Sequence, residues 1–451
     1  MKTLRTQLHS LEGSFQFMEM EKDISEIYFE SYGCSANHNS TEIMKGLVKS
    51  AGLNITTNIN YADLIVINSC IVKEPTEEKI RRQVQDLLKE RKKVILAGCM
   101  PNLRKKSFIQ NNLYMLDTSH IKDITNIIID IKNNTYDQEK YLKKRNEIKL
   151  GLPKIPQEKI ISITQISEGC LGECSFCITK LAKGKLFSYP QENIIESIKR
   201  DISAGCKEVW ITSQDNSAYG KDLGGYLLPE LIQEILELPG KFFVRIGMMN
   251  PDNVLKILDE LIKIYKRPKM FKFLHIPIQS GSNNILKAMK RKYTKEDVLR
   301  IIDKFKKEIP DITIATDIIV GFPGETEKDW QETIDILNKI NPEILNKSNY
   351  GIRPGTEAEK LNSKEISAEI MKSRAIELSD LHLNICNKIQ NKFIGKTFEV
   401  LIDKKGFENT WIGRNNCYKL FAVPSDKNLI GKIVKVKVKK TTPHYLIGEV
   451  V

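Results

Sequence analysis

Three cysteines crowd one short stretch of this sequence, Cys170-Leu-Gly-Glu-Cys174-Ser-Phe-Cys177. Thiolates are soft ligands, and three on a single loop can hold three irons of a cubane [4Fe–4S] cluster while the fourth iron stays open. Zinc is the competing assignment. It usually takes four protein ligands in closed sites, and no fourth Cys or His lies near this loop in sequence. Cys34, Cys70 and Cys99 form a second set. They are far apart in the chain, but each directly follows a strand-like segment. Cys206, Cys386 and Cys417 show no such pattern and are assigned to packing or surface positions.

The surrounding elements must position these thiols. Ile24 to Tyr32 reads as a strand ending in Gly33-Cys34, and a helix is expected from Ser40 to Ala51. The continuous apolar runs Leu64–Ile67 and Val94–Ala97 read as buried parallel strands. They end in Asn68-Ser69-Cys70 and Gly98-Cys99. The charged segment Pro75–Lys89 is predicted helical. Strands separated by helices predict a doubly wound parallel sheet. In such a sheet the strand ends converge on one edge, the usual ligand crevice. Three cysteines so placed could form a second three-thiolate cluster site; ordinary buried packing is the alternative for each.

The stretch from about Asp137 to Lys159 is charged, holds Gly151, Pro153 and Pro156, and reads as a linker. Six strand candidates follow: Ile161–Ser167, Glu208–Thr212, Phe242–Ile246, Phe271–Ile278, Ile312–Val320 and Glu343–Tyr350. Helical segments such as Asn193–Ala204 lie between them. This predicts a partial (β/α)6 barrel with active groups at the C-terminal ends of its strands. A long helix is expected from Ser363 to Lys392. Residues 395–451 then alternate with period two around glycine turns, which predicts a small antiparallel β-barrel. The expected class is α/β in four parts. These are an N-terminal extension (1–22), an N-terminal domain with the scattered cysteines (23–150), a central barrel (151–391) and a C-terminal β-barrel (392–451).

Hydrophobic residues make up 41% and charged residues 28% of the 451, a soluble globular balance. No run of about 18 apolar residues suggests a membrane span. Lys2, Arg5, Glu12 and Glu19 interrupt the first twenty residues, so no secretory signal is read there and a cytoplasmic address is expected. Nine cysteines are too few for a disulfide scaffold in so long a chain. The net charge of +13 makes a polyanionic partner plausible. Residues 391–451 hold 12 Lys/Arg against 5 Asp/Glu, a net +7. About half of the excess charge thus sits in the last seventh of the chain.

The Cys170 loop, directly after a strand, resembles the radical S-adenosylmethionine (SAM) superfamily. The resemblance implies that the open iron chelates SAM and that reductive cleavage releases a 5′-deoxyadenosyl radical. Phe176, just before the last cysteine, fits the motif. The same resemblance gives Ser213-Gln214-Asp215 to the methionine moiety. Arg245 could meet the SAM carboxylate, with a structural ion pair as the alternative. His275-Ile-Pro-Ile-Gln279-Ser-Gly281 ends the fourth barrel strand. Gly321-Phe-Pro323 resembles an adenine motif, with an ordinary turn as the alternative.

The combination resembles the methylthiotransferase family within that superfamily. The matching motifs are Ser31-Tyr-Gly-Cys34 with Asn37, Asn68-Ser-Cys70, Ala97-Gly-Cys99, the Cys170 loop, Gly321-Phe-Pro-Gly-Glu-Thr326 and Arg353-Pro-Gly-Thr356. Family members carry a three-cysteine N-terminal domain, a radical SAM barrel and a C-terminal TRAM domain. Cys70-Ile-Val-Lys-Glu-Pro-Thr-Glu77, Cys170-Leu-Gly-Glu-Cys174 and Ser213-Gln-Asp-Asn-Ser-Ala-Tyr-Gly220 look like the archaeal and eukaryotic (MtaB-like) branch. Asn349-Tyr-Gly-Ile352 departs from the expected pattern before Arg353.

The resemblance implies two [4Fe–4S] clusters, one on each cysteine set, with SAM as both methyl donor and radical source. The implied reaction is 2-methylthiolation of N6-threonylcarbamoyladenosine in tRNA, 3′ of the anticodon. Isopentenyladenosine in tRNA and a ribosomal-protein aspartate are the alternative substrates, and a non-catalytic zinc RNA-binding protein is the alternative class. An external electron donor, a sulfur donor and no membrane anchor are expected. Lys435, Lys437, Lys439 and Lys440 could follow RNA phosphates. Tyr418 and Phe421 could stack on bases or fill the small barrel. Lys180, Lys183 and Lys185 could meet RNA or form a solvated face.

Overall fold

The structure, a computed structural model, describes residues 24–107 and 110–451. The expected extension over 1–22 lies outside the described residues. The chain opens with five parallel strands: β1 (Glu26–Ser31), β2 (Asn54–Thr56), β3 (Leu64–Ser69), β4 (Lys93–Gly98) and β5 (Leu113–Asp117). Their order in the sheet is β2-β1-β3-β4-β5. Helices α1 (Ser35–Ser50) and α3 (Ile124–Lys132) cover one face, with Met44, Val48, Ile124 and Ile128 in its core. Helix α2 (Glu74–Lys89) covers the other through Ile80, Val84 and Leu87. β3 is buried at all six positions, which explains its unbroken apolar run.

Two expectations change here. Helix α1 starts at Ser35, directly after Cys34, not at Ser40. Its first turns bury polar residues (Asn37, Asn39, Ser40, Thr41), so no apolar period marked them. The segment read as a linker is a packed strap. It carries a short helix, Gln138–Leu142, and buries Tyr141, Leu142, Glu147 and Lys149.

The central strands are β6 (Ile161–Gln165), β7 (Glu208–Thr212), β8 (Phe243–Ile246), β9 (Phe273–His275), β10 (Thr313–Val320) and β11 (Ile344–Asn349). They form two three-stranded parallel sheets, β8-β7-β6 and β9-β10-β11, joined by a bridge between Val244 and Met270. The result is an open, six-stranded partial barrel. Along β7 and β8, Val209, Ile211, Val244 and Ile246 pack outward with the helices. Trp210 and Phe243 pack with Ile161 and Ile163 in a separate cluster on the opposite face. Helix α4 (Thr179–Lys183) follows the cysteine loop, and α5 (Ala368–Gln390) leads out of the barrel.

The last five strands, β12 (Thr397–Lys405), β13 (Thr410–Arg414), β14 (Leu420–Pro424), β15 (Ile433–Thr441) and β16 (Leu446–Val450), close in the order β12-β13-β14-β16-β15. This barrel docks on the N-terminal ends of the central strands. The Lys272 amide donates to the Asn416 carbonyl at 2.8 Å, and Thr313 Oγ1 donates to the Cys417 carbonyl at 2.6 Å. Tyr418 enters the floor of the partial barrel, with ring centroids 5.1 Å from Phe271 and 4.5 Å from Phe273. Phe421 is fully buried in the small barrel's core. Both aromatics therefore pack internally, and the base-stacking option falls for both. No helix among the described residues is long and apolar enough to cross a membrane.

Candidate metal centres

Both cysteine sets stand at the C-terminal ends of parallel strands, and all nine cysteines are free thiols. The central loop is shaped by glycine. Gly169 has φ +80°, and a Cβ there would lie 2.0 Å from the Lys185 carbonyl oxygen. Its amide donates to Gln214 Oε1 at 2.7 Å, so Gln214 fixes the entrance of the loop. The Gly172 amide donates to Cys170 Sγ at 3.1 Å. A Cβ on Gly172 would lie 3.2 Å from Cys170 Sγ and 3.7 Å from Cys174 Sγ. Glycine at 172 thus eases the close approach of the loop backbone to Cys170. Phe176 packs beside Ile285, Met289 and Phe322.

Arg291 is the residue the sequence did not disclose. Its Nη1 donates to Cys174 Sγ at 3.1 Å and its Nε to Tyr293 OH at 2.8 Å. Its Nη2 donates to the Pro277 carbonyl at 3.2 Å and also to Asn250 Oδ1. A guanidinium spread over four partners is held rigidly against one thiol. Asp215 is buried and accepts from the Ser217 amide (3.1 Å) and hydroxyl (2.6 Å), the Asn250 amide (3.0 Å) and Asn253 Nδ2 (2.7 Å). It ties together the ends of β7 and β8. Burial, reinforced by the Asp215 carboxylate, pushes the Cys170 thiol up to about 12. Burial also raises Cys177, with Cys174 adding to it. A solvent-open cleft runs beside Cys174, with Asp215, Asn250, Asn253 and Arg291 among its walls.

Three other expected residues lie as follows. Gln279 lies four residues beyond β9, bridged to Ile318, with φ +68°, rare for a non-glycine residue. Its carbonyl accepts from Ile319 at 3.0 Å and its amide donates to the Asp317 carbonyl at 2.8 Å. Arg245 is enclosed by rings, with its guanidinium 5.0 Å from Trp210, 4.7 Å from Phe273 and 5.5 Å from Tyr418. It belongs to the floor that the C-terminal barrel closes. Gly321 has φ +78°, and the place of its Cβ is filled by Met371 Cγ, 2.4 Å away. Glycine is needed there for the packing of α5.

The second set gathers at one sheet edge. Cys34 is the N-cap residue of α1, Cys70 follows β3 and Cys99 follows β4. Cys34 is exposed; the other two are buried. A Cβ on Gly33, at φ +100°, would lie 2.8 Å from Cys70 Sγ. Asn37 Nδ2 donates to the Tyr32 and Ser69 carbonyls, each at 2.9 Å. Asn68 Nδ2 donates to the Asn37 carbonyl at 2.7 Å and Thr41 Oγ1 at 2.9 Å. These amides lock the ends of β1 and β3 to the start of α1. Burial pushes the Cys99 thiol up to about 12, against the pull of Lys183. Burial also raises Cys70. Such thiols ionise when a metal takes the charge. Lys183, read from sequence as a surface residue, is buried in this region.

Among the described residues, no group of three His, Cys, Asp or Glu side chains is gathered tightly enough to hold one metal ion. The donor chemistry, three free thiols in each set, fits an iron–sulfur cluster.

Sequence-family comparison matches three segments of the chain. The Radical SAM superfamily matches residues 164–337, the Uncharacterized protein family UPF0004 matches 26–117, and the TRAM domain matches 391–451. A Pyrococcus horikoshii protein described as a probable threonylcarbamoyladenosine tRNA methylthiotransferase is 38% identical over 427 residues, covering 94% of this chain and 99% of its own. The Mus musculus threonylcarbamoyladenosine tRNA methylthiotransferase is 36% identical, covering 94% of this chain and 74% of its own. Among solved structures, a radical S-adenosylmethionine methyltransferase from Kitasatospora setae, with cobalamin and a [4Fe–4S] cluster bound, shares the fold. Its TM-score is 0.55 at 11% identity, over 74% of this chain and 77% of that one. With two cysteine-bearing strand-end sites, a basic C-terminal barrel and relatives matched nearly end to end, the chain belongs to the threonylcarbamoyladenosine tRNA methylthiotransferases, a family of radical SAM enzymes.

Proposed function

We propose that this chain converts N6-threonylcarbamoyladenosine, 3′ of the anticodon, to its 2-methylthio derivative with two [4Fe–4S] clusters, on Cys170/Cys174/Cys177 and on Cys34/Cys70/Cys99. SAM is both methyl donor and radical source. The observation that carries the reading is the second cysteine set: three free thiols at neighbouring ends of one parallel sheet, crossed by glycine where a Cβ would strike sulfur. When bound, the clusters and SAM supply the radical that takes hydrogen from an unactivated adenine carbon and the methylated sulfur that replaces it.

The chain's own residues position and hold. Gln214 anchors the central loop. Asp215 fixes two strand ends. Arg291 sets a fixed positive charge against Cys174. Phe176, Gln279 and the Gly321 turn stand around the same strand ends and belong to the SAM side. Lys435, Lys437, Lys439 and Lys440 are exposed along β15 while Val436 and Val438 face inward, an alternation that suits RNA phosphates. The relatives' names support the modified nucleoside. Electrons and sulfur come from donors outside the chain.

A nucleoside digest of tRNA from cells lacking the gene tests the substrate. Loss of the methylthio-threonylcarbamoyl nucleoside is expected; an undiminished level refutes the assignment. Iron and sulfide analysis of anaerobically purified protein tests the cluster count, with about eight irons per chain expected.

A further inference from the structure

A buried charge triad links the two thiol sites, and the function above does not use it. Glu168 lies two residues before Cys170, and Lys183 ends the helix that follows Cys177. Lys183 Nζ donates to Glu168 Oε1 at 2.9 Å and to Thr118 Oγ1. Lys149 Nζ, from the strap, donates to Glu168 Oε2 at 2.7 Å. Side-chain exposures are 2% for Lys183, 0% for Lys149 and 8% for Glu168. Two ammonium groups therefore share the Glu168 carboxylate, while a second buried carboxylate, Glu147, acts on Lys149 and is itself paired with Arg145 at 2.7 Å. A buried ammonium is costly unless an anion meets it.

The sheet register shows where that anion would sit. Gly98 pairs with Asp117, so Thr118, which holds Lys183, stands level with Cys99. Cys99 packs in one apolar cluster with Ile178, the N-cap of α4, and Ala182, the residue before Lys183. Besides Glu168, the Cys99 and Cys34 thiols are within electrostatic reach of Lys183.

We propose that Lys183 is a positioning residue of the Cys34/Cys70/Cys99 site: its ammonium, oriented by Glu168 and Thr118, holds an anionic sulfur ligand, hydrosulfide or methanethiolate, at that site. This rests on the second-cluster reading. Three thiolates and a further sulfur anion concentrate negative charge in a buried place, and Lys183 is the cation the fold sets against them. Lys149 shares Glu168 with Lys183, so part of the charge of Lys183 remains for the ligand.

The test uses the full-length chain carrying Cys170→Ala, Cys174→Ala and Cys177→Ala, so that only the N-terminal site can hold a cluster. About four irons with matching sulfide uphold the underlying reading; no iron overturns it, and this proposal with it. In that background, Lys183→Met is expected to move the cluster's midpoint potential to more negative values. Methanethiolate affinity, read from the cluster's optical and EPR spectra, should weaken about tenfold or more, as for one lost charge-assisted contact. Lys183→Arg should restore both. Iron loss in Lys183→Met that Lys183→Arg repairs also supports the proposal. An unchanged potential and affinity in Lys183→Met refute it. So does iron loss in both Lys183 variants, which marks a purely structural lysine.

Discussion

Replacing Gly33 with alanine separates the two thiol sites by geometry alone. Gly33 has φ +100°, and a Cβ there would lie 2.7 Å from Cys70 Cβ and 2.8 Å from Cys70 Sγ. Unstrained contacts need about 3.5–4.0 Å, so Cys70 must retreat by about 1 Å. Its neighbours resist, because Asn37 is bonded to the Tyr32 and Ser69 carbonyls at 2.9 Å each. Overpacking of this kind costs about 1–3 kcal/mol. A left-handed backbone adds about 1–2 kcal/mol for a residue with a Cβ. The total of about 2–5 kcal/mol falls on a site whose ligands must stay within about 0.5 Å. Gly52 supplies the control, since it has φ +80° but nothing within 4 Å of its would-be Cβ. Gly52→Ala carries only the backbone cost. After anaerobic reconstitution, Gly33→Ala should hold about four irons and Gly52→Ala about eight. Gly33→Ala should still make 5′-deoxyadenosine, and its methylthio nucleoside should vanish in mass spectrometry. If Gly33→Ala keeps full iron and product, the close approach to Cys70 does not govern that site.

Alanine at Cys174 should abolish SAM cleavage, while alanine at Cys70 should spare cleavage and stop methylthio transfer; a Cys70 variant that still forms product removes Cys70 from the second site. Arg291→Lys cannot serve Cys174, Tyr293, Asn250 and Pro277 at once. Losing one contact of about 1.5–3 kcal/mol should slow SAM cleavage about 10- to 100-fold with iron content kept, and an unchanged single-turnover rate would count against its role. Phe407 is 84% exposed in the turn between β12 and β13, the most exposed large apolar residue of the small barrel. Phe407→Ala should weaken tRNA binding by about 1–3 kcal/mol without lowering the melting temperature, as measured by filter binding and calorimetry; equal affinity would exclude it from the RNA surface.

What could be read in advance followed burial. Cys70 and Cys99 end strands that are apolar on both faces, so the strands, and hence the thiols, were visible in the sequence. Cys34 was placed correctly at a strand end, but the helix it caps was not, because that helix buries amides and hydroxyls in its first turns. Lysines misled most. Lys149 lies in a charged stretch and Lys183 in a lysine-rich one, and both are buried on Glu168, a partner distant from Lys149 in sequence. Arg291 sits among Lys287, Lys290 and Lys292, a run that resembles a solvated face. Its only local signal is Tyr293, whose hydroxyl receives the arginine and whose ring lies 4.8 Å from it. Tyr418 and Arg245 meet across a domain junction that no local pattern encodes.

The triad also bears on how the two sites are held together. Transfer between two centres requires a fixed separation. Here one short helix spans it: α4 follows Cys177, its end at Gly184 accepts the Cys170 amide at 3.1 Å, and Lys183 reaches Thr118. An apolar contact would fix that separation as well, and replacing buried ions by hydrophobic side chains is often neutral or stabilising. A charged junction that serves stability alone is therefore a poor solution, whereas one that serves a buried anion needs its charge. Replacing all three members, as Lys149→Met, Glu168→Leu and Lys183→Met together, should leave the melting temperature equal or higher and abolish methylthio product. A melting temperature lowered by several degrees would instead assign the triad to holding the domains in place.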